Sequence, residues 1–221
     1  MTVDGHRTRT LRHNRVELAL HQLSDGQGRP LLLLHGLGER TPDRRPPQTA
    51  PWPGPVFGLD FTGHGRSTVP AGGGYSCEVL MADVDIALAE LGPCTIVGRG
   101  LGAYVALLIA GARTELVAGA VLGDGPGLAG GSTGPSSSTF VRPAELDGTA
   151  PDPFALIELS TDIRPADYAT GFARLVLSQS PMASPLVVAA RQRPSWLQAV
   201  ADEPGVAAEG VAQGLARFAA A

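Results

Sequence analysis

The stretch TIVGRGLGAYVAL, residues 95–107, decides how this chain is read. CTIVG (94–98) is a short apolar strand that runs through glycines straight into LGAYVALLIAGA, a helical stretch. ELVAGAVLGD (115–124) returns as the next strand, which makes a βαβ unit. Working outward, RVELALHQL (15–23) alternates, whereas RPLLLLHG (29–36) and GPVFGLD (54–60) are continuous apolar runs, as strands covered on both faces require. CEVLMADVDIALAELG has apolar positions at helical spacing. Downstream, the pattern predicts a helix near 164–179, a strand SPLVVAA (184–190) and a last amphipathic segment, VAAEGVAQGLARFAAA. This alternation predicts an α/β class protein: a mostly parallel, doubly wound sheet flanked by helices, in a single domain covering 1–221. Residues 125–151, rich in Gly, Ser and Pro, read as a flexible insertion, either a lid or a connector.

A chain of 221 residues with 43% hydrophobic and 17% charged residues can bury a substantial core and is not mainly disordered. Its formal net charge of −4 leaves no field to hold a polyanion, so nucleic acid is not an expected partner. Arg7, Arg9, Arg12 and Arg15 read as the solvated face of an exposed strand. All 17 basic residues are Arg, a compositional bias without functional weight. MTVDGHRTRT has no apolar run after its charges, and AYVALLIA is far too short to span a bilayer; no membrane partner is expected and the predicted location is the cytoplasm. Cys77 and Cys94 lack metal-ligand spacing and read as free thiols of a reducing compartment; neither a metal nor a cofactor is expected.

Three motifs occur in order: LLLLHGLG (31–38), DFTGHGRS (60–67) and TIVGRGLGAYVAL (95–107). Together they resemble the α/β-hydrolase superfamily, over residues 8 to 124 and more weakly through the terminal helix. The resemblance implies a reduced or absent cap and, because only 28 residues follow Arg193, a shortened C-terminal part. It also implies that the turn at His35 and Gly36 offers the Leu37 N–H, and the residue after the nucleophile position the Leu101 N–H, as oxyanion donors. Asp60, Gly63, Gly65 and Ser67 match the loop that shapes the strand-to-helix connection.

The nucleophile elbow of that family reads G-x-S-x-G, but here it reads Gly98-Arg99-Gly100-Leu101-Gly102. Gly100 offers no hydroxyl, thiol or carboxylate, which closes the covalent route to acyl transfer at that position. The general base is missing on independent grounds: the five histidines, His6, His13, His21, His35 and His64, all precede residue 65, whereas the family's His follows the last strand. Arg193 stands where the acid is often found, and Asp124 occupies the alternative acid position one strand earlier. GRGLGAYVALLIAG is also similar to the elbow of the N-myc downstream-regulated family, whose members share the fold and are regarded as non-hydrolytic.

Other readings compete for the same residues. Gly98, Gly100 and Ala103, with Asp124 closing the next strand, fit a dinucleotide fingerprint, although Asp124 lies later than the usual spacing of about 20. Arg99 and Arg193 either reach solvent or pair with nearby carboxylates such as Asp124 or Asp202, or else converge with the Leu37 and Leu101 N–H groups on an anion. His35 and His64 read as structural, and Ser132, Ser136, Ser137 and Ser138 as linker residues. The sequence therefore predicts a hydrolase-like pseudoenzyme that binds a small ligand, an anion among the candidates, or a protein partner. The expected ligand pocket comprises His35, Gly36, Leu37, Arg99, Gly100, Leu101 and Asp124, with Gly100, Asp124 and Arg193 as vestigial catalytic positions. The alternative is acid–base or lyase chemistry by Asp124 against the oxyanion donors.

Overall fold

A computed structural model describes residues 7–131 and 150–220; most of the expected insertion, including Ser132, Ser136, Ser137 and Ser138, lies outside the described residues. Among the described residues the strands are β1 (Arg7–His13), β2 (Val16–Ser24), β3 (Leu31–Leu34), β4 (Val56–Leu59), β5 (Cys94–Arg99), β6 (Val117–Gly123), β7 (Leu186–Val188) and β8 (Val206–Ala208). They form one sheet in the order β1-β2-β4-β3-β5-β6-β7-β8. β2 pairs antiparallel with β1 and β4, and every later pairing is parallel. Because β4 lies on one side of β3 and β5 on the other, the chain reverses direction of travel there. The carboxyl ends of β3 and β5 therefore frame the crevice where open α/β sheets bind ligands.

The helices are α1 (Cys77–Leu91), α2 (Leu101–Ala112), α3 (Pro153–Thr161), α4 (Ala166–Gln179), α5 (Ser195–Ala201) and α6 (Val211–Ala219). α2 is apolar all round because it is buried from Leu101 to Gly111, between the sheet and helices α1 and α4. The opposite face carries a smaller core, in which Leu31, Leu33, Val121 and Val187 pack under Trp52, Leu215 and Phe218. A 3-10 turn at Pro47–Thr49 and α6 supply that cover. No helix among the described residues is long and apolar enough to cross a membrane.

The expected βαβ unit, strands and α4 are present, with three additions. α3 was hidden in a stretch that reads as loop, although Asp152 caps it by accepting from the Phe154 N–H at 3.1 Å and Pro153 opens it. The terminal amphipathic segment divides into β8 and α6, because Val206, Ala207 and Ala208 find parallel partners on β7 that no local pattern reveals. α5 fills the interval before it. After β7 the chain thus forms a helix, a strand and a final helix of seven, three and nine residues. Arg9 and Arg12 lie on the edge strand and reach Glu90 at 2.7 Å and Glu17 at 2.5 Å.

Two buried carboxylates hold the loop at 60–67. Asp60 accepts from the backbone N–H of Thr41 (2.8 Å) and Arg66 (2.9 Å) and pairs with His21 Nε2 (2.9 Å). Burial opposes its charge, but these donors keep its carboxyl well below the usual carboxylate range. Gly65, at φ 53°, leaves room for that carboxylate, with which a Cβ would collide. Asp83 has fewer partners, the N–H and hydroxyl of Thr62, each at 2.8 Å, and burial pushes its pKa up to about 6. A carboxyl raised in the fold favours folding below its unfolded pKa, and that contribution fades as pH rises through about 6. Asp60 acts in the opposite sense, stabilising at neutral pH and losing that contribution in acid. Asp83→Asn is therefore expected to gain on the natural protein by about 1–3 kcal/mol between pH 4.5 and 7.5 in urea-melt stability. A difference that does not vary with pH would contradict this assignment.

Candidate functional site

The elbow keeps its backbone without its side chain. β5 ends at Arg99, Gly100 adopts φ 58° and ψ −123°, and α2 begins at Leu101. Only glycine holds such a conformation without strain. Gly102 lets the helix lie against the end of β3, since a Cβ there would stand 2.6 Å from the His35 carbonyl oxygen.

The two expected oxyanion donors converge, and the protein itself supplies what they bind. The Leu37 and Leu101 N–H groups donate to the Pro126 carbonyl oxygen at 3.0 and 2.9 Å. These distances are those at which such donors stabilise a developing oxyanion. The segment 125–127 enters the site because its residues permit it. Pro126 brings no N–H that would need a partner. Gly127, at φ 75°, approaches Leu37 so closely that a Cβ would lie 2.6 Å from the Leu37 Cβ. A Cβ on Gly100 would overlap the Pro126 carbonyl oxygen and stand 2.6 Å from the Gly125 carbonyl carbon. A serine at 100 and this loop cannot share the space.

The loop is secured from behind. Buried Arg164, between α3 and α4, donates Nη1 to the Gly127 carbonyl and, at 2.7 Å, to that of Leu128. Trp196 on α5 donates Nε1 to the same Leu128 carbonyl at 2.8 Å. In front, Arg99 pairs with Glu39 at 3.3 Å, and the Glu39 Oε2 accepts from the Gly36 N–H at 3.0 Å.

No protein-family model and no curated protein matches this sequence. Among solved structures, the hypothetical protein PA1622 from Pseudomonas aeruginosa PAO1 is similar with a TM-score of 0.66 at 19% identity, over 96% of this chain and 98% of that one. The thioesterase domain from the curacin biosynthetic pathway gives 0.61 at 17% identity, over 98% of each. This chain spans less than half of several longer matches, such as 41% of the haloalkane dehalogenase DatA from Agrobacterium tumefaciens C58 (TM-score 0.44, 20% identity, 54% of this chain). The chain has an α/β-hydrolase fold. At such identities the fold is what is shared.

Within this α/β-hydrolase fold the residues expected at the site divide into two groups. Gly36, Leu37, Gly100 and Leu101 gather around the Pro126 carbonyl. His35, Arg99 and Asp124 line an open cavity of about 930 Å³ on the α6 side of the sheet. Arg193 does not line that cavity; it lines a second cleft of about 610 Å³ with Asp124, Pro126 and Gln192, and its Nε donates to the Ala190 carbonyl at 3.3 Å. Arg99 and Arg193 thus do not share a cavity, and their partners are Glu39 and Ala190, not the Asp124 or Asp202 that the sequence suggested. The N-terminus of α2, where a dinucleotide phosphate would bind, is taken by Pro126.

Both site histidines are fully engaged. His35 uses Nδ1 on the Gly36 carbonyl (2.8 Å) and accepts the Phe61 N–H on Nε2 (3.1 Å). Burial, reinforced by the His64 ring beside it, pushes its pKa down to about 3. His64 contacts the Thr62 carbonyl through Nδ1 and accepts the Gly38 N–H on Nε2, each at 3.2 Å, and burial lowers it as well. Both rings are neutral spacers with no lone pair left to act as a base. Asp124 accepts from the Arg191 N–H at 3.0 Å and the Gln192 N–H at 3.3 Å, tying β6 to the loop after β7. Among the described residues no cluster of three or more His, Cys, Asp or Glu could hold a metal.

Sequence reasoning missed Pro126, Glu39, Arg164, Arg191 and Trp196. The run DGPG after β6 was the signal nearest to hand, since a proline between two glycines marks backbone that fits where side chains cannot. Gly100→Ser is expected to cost about 2 kcal/mol or more of stability and to confer no esterase activity, since its side chain and Pro126 compete for one space. Chemical denaturation and a chromogenic-ester assay check both; an active, undestabilised variant would contradict the packing.

Proposed function

We propose that this α/β-hydrolase-fold protein does not cleave esters or amides and acts by binding a small ligand in the cavity beside its filled oxyanion site. The carrying observation is the Pro126 carbonyl held by both oxyanion donors. A substrate carbonyl must displace it before any transition state can be stabilised there. Gly100 then provides nothing to attack with, and His35 and His64 provide nothing to deprotonate with. Acid–base chemistry by Asp124 lacks support for the same reason: the donors it would need are occupied, and its oxygens serve backbone N–H groups.

The 930 Å³ cavity favours ligand binding over a purely scaffolding role, being concave, open and within the range of small-molecule sites. Burial raises both free thiols, Cys94 to about 12, so neither is a nucleophile at neutral pH; this suits a cytoplasmic, reducing setting.

Purified protein is expected to hydrolyse p-nitrophenyl acetate and butyrate no faster than a matched Gly100→Ala preparation or buffer. Turnover well above background, abolished by one substitution among His35, His64 and Asp124, would overturn the non-hydrolytic reading.

A further inference from the structure

The cavity beside the filled oxyanion site has a carbon floor and a charged rim. Leu33 and Val97, near the ends of β3 and β5, together with Ala189 after β7 and Val211 at the start of α6, supply the floor. Arg40, Arg99 and Arg191 supply three guanidinium groups at the rim, against the carboxylates Glu39 and Asp124.

The two acids are already committed. Glu39 Oε2 accepts the Gly36 N–H, and both Asp124 oxygens accept the Arg191 N–H. Arg40 is already paired with Asp43 at 3.1 Å, but the guanidinium groups of Arg99 and Arg191 are not saturated. Arg99 is 52% exposed and meets one Glu39 oxygen at 3.3 Å, leaving donors of its five-pronged fork unspent among the described residues. Arg191 is 96% exposed and approaches Asp124 only to 4.0 Å. The rim therefore favours a negative head, and the floor demands an apolar body.

We propose that this cavity binds an amphipathic carboxylate: an alkyl or aryl body over Leu33, Val97, Ala189 and Val211, with its carboxylate paired to Arg99 in exchange for Glu39. This rests on the ligand-binding reading above and adds the chemical class. The exchange replaces one carboxylate on Arg99 by another, while the released Glu39, 30% exposed to solvent, keeps the Gly36 N–H on its Oε2.

Calorimetric titration of the full chain with octanoate, 1-octanol, acetate and inorganic phosphate tests it. Octanoate is expected to bind at least about tenfold more tightly than each of the other three. Arg99→Gln should weaken octanoate about tenfold and leave octanol within about twofold. Glu39→Gln should tighten octanoate about two- to fivefold by freeing Arg99, a gain that misfolding cannot mimic. Val211→Trp, which fills the floor, should weaken octanoate and octanol together. Octanol or phosphate binding as tightly as octanoate, or indifference to both Arg99→Gln and Glu39→Gln, overturns the carboxylate class while leaving the cavity as a binding site. No binding of octanoate or octanol, or binding unaffected by Val211→Trp, overturns the cavity reading itself.

Discussion

One carbonyl oxygen, that of Pro126, joins the turn after β3, the end of β6 and the first turn of α2 through two backbone hydrogen bonds. Everything unusual about the site follows from it. A carbonyl between two amides satisfies donors that would otherwise be buried without partners, at the place where a hydrolase would leave them for substrate. Pro126 enters without a donor of its own, Gly125 and Gly127 let the backbone pass, and Arg164 and Trp196 hold the following carbonyls. The bare position 100 and the Pro126 carbonyl between the two amides are thereby a single steric condition, because a side chain at 100 and that carbonyl exclude one another.

Filling that point does not close the crevice of the sheet; it moves the opening. On the face carrying α2, segment 125–128 occupies the Leu37 and Leu101 amides and is held by Arg164 and Trp196. On the other face, among the described residues, the Pro47–Thr49 turn, Trp52 and α6 cover the sheet, and the strand ends there border an open cavity. The pair Arg99–Glu39 stands at the boundary between the two. The position that would flank a nucleophile in an active relative therefore carries the cation facing the open side.

The legible part of the site consisted of backbone and absence. Glycines at 98, 100 and 102 announced a tight elbow, the HG turn announced the Leu37 donor, and counting placed every imidazole before residue 65. His35 and His64 could be read as structural, and their hydrogen bonds show why: each ring spends both nitrogens on loop backbone. Illegible were the contacts between segments far apart in the chain. Glu39 finds Arg99 across 60 positions, and Trp196 finds Leu128 across 68. β8 is a strand only because β7 lies beside it.

The sequence by itself determined strands β2 to β7 with helices α1, α2 and α4, the βαβ unit at 94–124 and the lack of a nucleophile at 100, because apolar periodicity and the presence or absence of a side chain are local properties. Tertiary structure alone decided that the Pro126 carbonyl sits between the Leu37 and Leu101 amides, that Arg99 and Arg193 line different cavities, and that the larger open space lies toward α6. Those outcomes depend on how a glycine-rich loop, free in its own conformation, is fixed by donors and side chains that reach it from distant parts of the chain.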